Sequence, residues 1–153
     1  MPSILDRDLN RRPMSQREAI CAEALSWLKV PYRYGDKSGQ PTDGAHGTTS
    51  PDRGIDCSGF VVSVYSKVFP GQGLDPDLHN TSGLSRSGLF AGTASPLPGD
   101  LVLWDGHVGI VLAPASGDFI GSQSSTGVYI ASYSSGYWAA QPNRRFLRWF
   151  GLV

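Results

Sequence analysis

One cysteine of this chain stands at the start of an apolar stretch with helical spacing. In GIDCSGFVVSVYSKVF, which runs from Gly54 to Phe69, Cys57 follows an acid and precedes a serine and a glycine. A thiol in the first turn of a helix lies at the positive end of the helix dipole, where its pKa can fall from about 8.5 to roughly 3.5–7.5. The same turn offers backbone N–H groups that can hold an oxyanion. The position therefore predicts a nucleophile.

A nucleophilic cysteine needs a base, and His107 is the best candidate in the sequence. It follows Asp105-Gly106, a dipeptide favoured in tight hairpins, and opens the apolar stretch HVGIVLA. Its imidazole can therefore stand at the edge of a sheet. A structural histidine at the start of a strand fits the same position, so the sequence position alone leaves both interpretations open.

Two helices are predicted in the first half of the chain. The segment that starts at Ser15 has the form of a capping box, and the apolar spacing behind it predicts a helix over 15–29, closed by Pro31. The apolar residues after Cys57 keep to one helical face and predict a second helix that ends near Phe69. This second helix holds the thiol in its first turn.

The second half of the chain predicts strands. LVLW and HVGIVLA read as a hairpin, and DFIGSQSS, GVYIASY and RFLRWFGLV read as three further strands. The polar stretch PGQGLDPDLHNTSGLSRSGLFAG between the second helix and the strands is expected to be irregular. This order predicts an α+β fold, with N-terminal helices packed on a central antiparallel sheet of about five to six strands.

Length and composition indicate one soluble globular unit. The chain has 153 residues, of which 40% are hydrophobic and 17% charged, which predicts a single domain over residues 1–153. Residues 1–14 are predicted as an N-terminal extension and residues 35–54, rich in Gly, Pro, Ser, Thr and Asp, as a polar insert loop. Thirteen basic residues balance thirteen acidic ones, so no nucleic-acid partner is expected.

The sequence carries no sign of membrane, disulfide or metal dependence. MPSILDRDLNRRPMSQ lacks the apolar core of a signal peptide, and no apolar run approaches the roughly 20 residues that span a bilayer. No signal peptide and no membrane insertion are therefore expected. Cys21 and Cys57 are too few for a disulfide scaffold. No CxxC or HExxH motif indicates a metal site, so neither a metal nor a cofactor is expected.

Three motifs in order resemble the NlpC family of papain-like cell-wall cysteine peptidases. They are PYRYGD at 31–36, DCSGF at 56–60 and PGDLVLWDGHVGIVL at 98–112, and the separation of Cys57 and His107 is typical of that family. The resemblance implies the papain-like NlpC fold. It also implies that Cys57 attacks a peptide carbonyl while His107 moves the proton, without a metal.

The family also has a third polar residue, which orients the imidazole from the following strand. Alignment with the family places Gly121 at that position, and glycine cannot orient a ring. Gln123 lies two residues on and projects from the same face of the strand, and a small bulge at Gly121 would bring it closer. Gln123 is therefore predicted as the third catalytic residue, with Asp118 as a weaker candidate.

Three further residues are predicted to bind substrate because they match family positions. Tyr32 belongs to the PY segment. Its hydroxyl either polarises the carbonyl or binds substrate, and the alternative is a half-buried tyrosine that serves only packing. Asp56 and Ser58 flank the nucleophile, where the family holds the free amino end of a short cell-wall peptide. Both residue types also favour helix N-caps, and both interpretations stay open.

The resemblance implies a peptidoglycan hydrolase that acts through a thioester on Cys57. Among the bonds of the stem peptide, the resemblance favours the D-γ-glutamyl–meso-diaminopimelate amide as the one that is cut. An N-acetylmuramoyl-L-alanine amidase on the same scaffold is the nearest alternative. A non-catalytic cell-wall-binding module, favoured by Gly121, and an intracellular acyltransferase or deamidase are the others.

The segment FIGSQSSTGVYIASY, followed by YW, also resembles NlpC-type domains that are delivered as antibacterial toxins. On this hypothesis the protein is made in the cytoplasm and acts in the periplasm or cell wall after export by a dedicated machine. A type VI secretion-like apparatus and a cognate immunity protein are then its expected partners.

Overall fold

The structure is a computed structural model that describes residues 14–34, 54–74 and 80–152. The expected N-terminal extension, apart from Met14, and the expected insert loop, apart from Gly54, lie outside the described residues. Ten helices and strands are defined within the described ranges, and they are numbered here in chain order.

The first helix, α1 (Gln16–Leu25), begins with the expected capping box. Ser15 Oγ accepts a hydrogen bond from the Glu18 N–H at 3.1 Å, and Glu18 Oε1 accepts one from the Ser15 N–H at 2.9 Å. The helix ends four residues before the predicted Lys29, which has a φ of 75°. The early end has a tertiary cause, because the Lys29 N–H donates to the Val128 carbonyl of the sheet at 2.9 Å.

The second helix, α2 (Cys57–Val68), begins at the candidate nucleophile. Asp56 is its N-cap and accepts a hydrogen bond from the Gly59 N–H at 2.7 Å. Its buried face includes Phe60, Val64 and Tyr65, as the apolar spacing predicts. The helix ends at Val68, with Phe69 as C-cap, and it packs against α1 and against the sheet.

In the described part of the chain the sheet has six antiparallel strands, which confirms the α+β fold. The strands are β1 (Phe90–Thr93), β2 (Leu101–Trp104), β3 (His107–Ala113), β4 (Asp118–Gln123), β5 (Gly127–Ser132) and β6 (Arg145–Trp149). Their spatial order is β1-β6-β2-β3-β4-β5, and each neighbouring pair is antiparallel. The expected hairpin is β2–β3, with Trp104 opposite His107 across Asp105-Gly106.

Three elements differ from the sequence-based expectation. The stretch expected to be irregular contains the helix α3 (Thr81–Arg86) and the edge strand β1. A four-residue helix, α4 (Gly136–Ala139), lies between β5 and β6. All three are short, and of the four residues of β1 only Phe90 is buried, so none has an apolar pattern long enough to stand out.

Apolar side chains cover both faces of the sheet. The larger cluster lies between the sheet and the helices, and the smaller one, on the opposite face, includes Trp104, Phe119 and Tyr133. This is why β2 is buried along its whole length and reads as a continuous apolar run. Among the residues described, none of the helices has the length and apolar character needed to cross a lipid bilayer.

Candidate active site

An open groove of about 680 Å³ runs past the N-terminus of α2 and the start of β3. Tyr32, Cys57, His107 and Gln123, which four separate segments supply, all line it. The structure therefore brings the proposed nucleophile, base and third residue together in one cavity, with one of the three expected substrate-binding residues.

The Cys57 sulfur lies close to both neighbours of His107. Its Sγ is 4.0 Å from the Gly106 carbonyl oxygen, and the Val108 N–H is near enough to lower the pKa of the thiol. A third contact, of 3.7 Å, joins Sγ to the hydroxyl oxygen of Thr81. The nucleophile is thus held against the chain segment that begins β3 and carries His107.

Strand pairing explains why the Val108 N–H is available. Pairing between β3 and β4 stops at Ile110 and Ile120, two residues short of Val108. Beyond that point the described register leaves the Val108 N–H unpaired with β4, and this N–H acts to lower the pKa of the Cys57 thiol. The end of the ladder therefore supplies a backbone donor to the site.

The segment before Cys57 is held on two sides, by the segment around Tyr32 and by strand β4 of the sheet. Ile55 forms a parallel bridge with Tyr32, and its carbonyl accepts a hydrogen bond of 2.7 Å from the buried hydroxyl of Ser122 on β4. Because Ile55 is two residues from the nucleophile, these bonds fix the entry of the chain into α2.

Burial changes the expected acidity of the thiol. The pKa of Cys57 is raised above its usual value of about 9, chiefly because burial penalises the thiolate, with a smaller contribution from Asp56. The Thr81 hydroxyl and the N–H groups of Val108 and Ser58 lower the pKa but do not outweigh the burial. The expectation of a lowered pKa is therefore not met, because the sequence shows the helix terminus but not the depth of the sulfur.

His107 is enclosed by aromatic rings. Its imidazole stacks on the indole of Trp138 in α4, with ring centroids 4.2 Å apart and an angle of 12° between the ring planes. The ring of Trp104 also lies near the imidazole, with ring centroids 5.9 Å apart. The residue is 8% exposed. Burial lowers the pKa of His107 to about 4, against an opposing effect of Gln123. The imidazole is consequently neutral at neutral pH and able to accept a proton.

Gln123 occupies the space that a side chain at position 121 would need. A Cβ built on Gly121 would lie 2.5 Å from Gln123 Oε1 and 3.5 Å from His107 Nε2. Both of these atoms are buried without a hydrogen bond of normal geometry. The amide oxygen and the ring nitrogen therefore share the opening left by the glycine, where a small shift joins donor to acceptor.

No bulge at Gly121 is needed to bring Gln123 to this position, because the pairing of β4 with β5 stays regular through Gly121 and Gln123. The side chain of Gln123 instead reaches back along its own strand, held by a 3.2 Å hydrogen bond from its Nε2 to the Tyr129 carbonyl. Asp118, the weaker candidate, lies at the far end of β4 and does not line the groove.

The expected substrate-binding residues differ in their placement. Tyr32 lines the groove, and the nearby Cys57 and Asp56 add to the effect of burial in raising the pKa of its hydroxyl. Asp56 caps α2, and Ser58, which is 3% exposed, donates a 3.5 Å hydrogen bond to the Asp56 carboxylate. Neither Asp56 nor Ser58 lines the groove. The capping interpretation is thus observed for Asp56.

Sequence reasoning missed two residues that touch the proposed pair, Thr81 and Trp138. Each belongs to a helix of six residues or fewer that the sequence pattern did not predict. The dipeptide Tyr137-Trp138 could have indicated a contact of Trp138 with the site, because large aromatic side chains in a polar segment usually pack against another part of the fold. Cys21, the second cysteine, is free and lies in α1.

Comparison with known proteins identifies one family. The model of the NlpC/P60 family matches residues 29–145. A murein DD-endopeptidase/LD-carboxypeptidase of Escherichia coli is 28% identical over 137 residues, which cover 86% of this chain and 63% of that protein. A peptidoglycan DL-endopeptidase of Bacillus licheniformis is 33% identical over 115 residues, which cover 72% of this chain and 23% of that protein. The chain thus spans less than two thirds of either relative.

Two solved structures share the fold. An NlpC/P60 family protein of Bacillus cereus superposes with a TM-score of 0.62 at 19% identity, over 92% of this chain and 42% of its own. The peptidoglycan hydrolase RipB of Mycobacterium tuberculosis superposes with a TM-score of 0.60 at 21% identity, over 92% of this chain and 70% of its own.

Proposed function

Because the chain belongs to the NlpC/P60 family, we propose that it is a cysteine peptidase that hydrolyses an amide bond in the stem peptide of peptidoglycan. The observation that carries the proposal is the shared groove, which both Cys57 and His107 line and in which the Cys57 sulfur lies 4.0 Å from the carbonyl oxygen of Gly106, the residue before His107. The relatives named as murein or peptidoglycan endopeptidases support the substrate class.

In the proposed acylation step, Cys57 Sγ attacks the carbonyl carbon as its proton passes to His107. The carbonyl oxygen becomes an oxyanion beside the Cys57 N–H, which is the first N–H of α2 and has no intrahelical acceptor. Tyr32, which also lines the groove, offers a hydroxyl as a further donor. When the C–N bond breaks, His107 returns the proton to the leaving amine and a thioester remains on Cys57.

Deacylation then uses the same base. His107 takes a proton from water, the hydroxide attacks the thioester carbonyl, and the C–S bond breaks to release a carboxylic acid. The thiolate regains its proton from the imidazolium. Because burial keeps thiol and imidazole neutral at rest, the charges exist only during each proton transfer.

Gln123 is the proposed third catalytic residue. Its Oε1 faces His107 Nε2, so it favours the tautomer that carries the proton on Nε2. Nδ1 is then the nitrogen left to accept the thiol proton. This arrangement speaks against a non-catalytic binding module, which Gly121 alone suggests, because the missing side chain is replaced from two residues away.

The amino end of the substrate is the proposed ligand of the Asp56 carboxylate. That group stands beside Tyr32, close enough to raise the pKa of its hydroxyl. Ser58 assists by orienting the carboxylate through its 3.5 Å hydrogen bond. Asp56 and Ser58 do not line the groove itself. Binding to Asp56 therefore requires the ammonium group of the substrate to reach beyond the groove, next to Tyr32.

The proposed bond is the D-γ-glutamyl–meso-diaminopimelate amide. The experiment is digestion of purified peptidoglycan by the protein and by the Cys57→Ala variant, with Cys21→Ala as the matched control, followed by mass spectrometry. Expected products end in D-glutamate on one side and begin with diaminopimelate on the other, and only Cys57→Ala abolishes them. Muropeptides cut at the lactyl–L-alanine bond identify an amidase instead, and intact peptidoglycan with every variant contradicts the hydrolase proposal.

Delivery as an antibacterial effector, with a secretion machine and an immunity protein as partners, follows only if the substrate lies in a competitor's periplasm or cell wall. The test is expression directed to the periplasm of Escherichia coli. Lysis by the wild-type protein and survival with Cys57→Ala supports this role. Survival in both cases, with the protein shown to be present and folded, argues against it.

A further inference from the structure

A threonine outside the three expected motifs touches the nucleophile. Thr81 Oγ1 lies 3.7 Å from Cys57 Sγ, within hydrogen-bond reach of the large sulfur atom. We propose that Thr81 is a positioning residue, whose hydroxyl holds the Cys57 sulfur beside His107 and donates to it as it becomes negative. This inference rests on the proposed function, because it assigns Thr81 a part in the same proton transfer.

The local fold fixes the position of this hydroxyl. Asn80 caps α3 by accepting a hydrogen bond from the Gly83 N–H at 2.7 Å, which makes Thr81 the first helical residue. Thr81 and Leu84 lie three residues apart on one face of α3, and both are buried. Leu84 belongs to the main core, so α3 cannot turn without exposing it. The Thr81 side chain therefore stays directed at the nucleophile.

The contact becomes stronger as charge develops on the sulfur. A thiol can donate to Thr81 or to the Gly106 carbonyl, which lies 4.0 Å away. A thiolate can only accept, and it is repelled by the Gly106 carbonyl oxygen. The Thr81 hydroxyl, which rotates freely, then donates to the sulfur. An interaction that strengthens towards the transition state raises the rate rather than the affinity for substrate.

The alternative is that Thr81 serves only packing. The two roles differ in whether the hydroxyl group is needed. Valine has nearly the same shape as threonine and fills the same space without a donor. Among the described residues, the Cys57 sulfur is the one hydrogen-bond partner of Thr81 Oγ1. Burial of a hydroxyl group costs free energy unless the group is hydrogen-bonded, and here the sulfur is the partner that can satisfy it. The hydroxyl also acts to lower the pKa of Cys57.

The test measures the pH at which Cys57 becomes reactive to iodoacetamide, in a Cys21→Ser background that leaves one thiol. Thr81→Val and Thr81→Ala are expected to move the midpoint of the alkylation profile up by about 1–2 pH units, since a hydrogen bond to a charged group is lost. Thr81→Ser keeps the hydroxyl and is expected to restore the wild-type midpoint. Thr93→Val, on the edge strand β1, is the matched control and should leave the profile unchanged.

Folding of each variant is checked by circular dichroism, and Thr81→Ala serves if Thr81→Val does not fold. An unchanged midpoint in either of these variants overturns the proposal, and so does a Thr81→Ser midpoint as high as theirs, which indicates packing alone. On peptidoglycan, Thr81→Val is expected to lower kcat about tenfold at unchanged KM. The alkylation profile needs no substrate, so it tests the role of Thr81 separately from the proposed function. If the protein cuts no peptidoglycan but the Thr81 variants still shift the midpoint, the peptidoglycan proposal is wrong and the role of Thr81 stands.

Discussion

The amide oxygen of Gln123 lies 2.5 Å from the point where a Cβ on Gly121 would stand. The two positions therefore compete for one space beside His107. Gly121→Ala is expected to displace the Gln123 side chain and lower kcat/KM on peptidoglycan by about 10²-fold, within the range for loss of general-base assistance. Gly92→Ala is the matched control, because a Cβ there has nothing within 4 Å.

The same competition predicts a rescue. Gly121→His combined with Gln123→Ala is expected to recover part of the activity that Gly121→Ala loses, because the new imidazole takes the vacated space and faces His107 Nε2. Steady-state kinetics of the single and double variants measure the coupling between the two positions. Strictly additive effects would show that the residues do not share one role.

Removal of the Trp138 ring is expected to raise the pKa of His107. The stacked indole contributes to the burial that lowers this pKa to about 4, so Trp138→Ala should move it towards the ordinary value of 6.5. The imidazolium form then persists to higher pH, and the acid limb of the activity profile shifts up with it. NMR titration of the ring protons measures the change, with the exposed Tyr137→Ala as control. A lower pKa in Trp138→Ala would mean that the indole stabilises the cation.

Cys57 is expected to react as a buried neutral thiol in the free protein. Because burial raises its pKa above the usual value of about 9, the alkylation rate in the Cys21→Ser background should keep climbing with pH beyond about 9. A plateau of high reactivity below about pH 7.5 would instead indicate a resting thiolate–imidazolium pair.

Asp100 is expected to be a stability residue remote from the chemistry. Its carboxylate is fully buried and pairs with Arg17 at 2.9 Å and Arg148 at 2.8 Å, while Leu97 N–H donates to it at 2.8 Å. Asp100→Asn leaves two guanidinium groups without their counter-ion, and we expect the free energy of unfolding to fall by about 3 kcal/mol. Urea denaturation measures it. Asp105→Asn, which breaks the exposed pair with Arg145, should cost about 1 kcal/mol at most.

Features that depend on near neighbours in sequence could be predicted from the sequence. The capping box at Ser15, the hairpin at Asp105-Gly106 and the start of α2 at Cys57 each depend on residues within a few positions of one another. The resemblance to a family then linked Cys57 with His107. Alignment with the family at Gly121, together with the alternation of side chains along a strand, led to Gln123, which lines the same groove.

Features that depend on tertiary contact could not be predicted. The C-terminal end of α1 is set by a hydrogen bond from Lys29 to Val128, about a hundred positions along the chain. The direction in which the pKa of Cys57 shifts depends on the burial of the sulfur, which the motif around Cys57 does not reveal. Thr81 and Trp138 reach the site from helices too short to leave a periodic pattern.

The bridge between Tyr32 and Ile55 has a consequence for how such a domain can diversify. Ile55 N–H donates to the Pro31 carbonyl and Arg33 N–H donates to the Ile55 carbonyl, so the chain on either side of residues 35–53 is clamped at one point. Segments of different length can be exchanged between Tyr34 and Gly54 while the nucleophile stays in place, at a modest entropic cost per added residue. Evolution, or a protein engineer grafting a new recognition segment, can therefore alter what approaches the groove without rebuilding its chemistry.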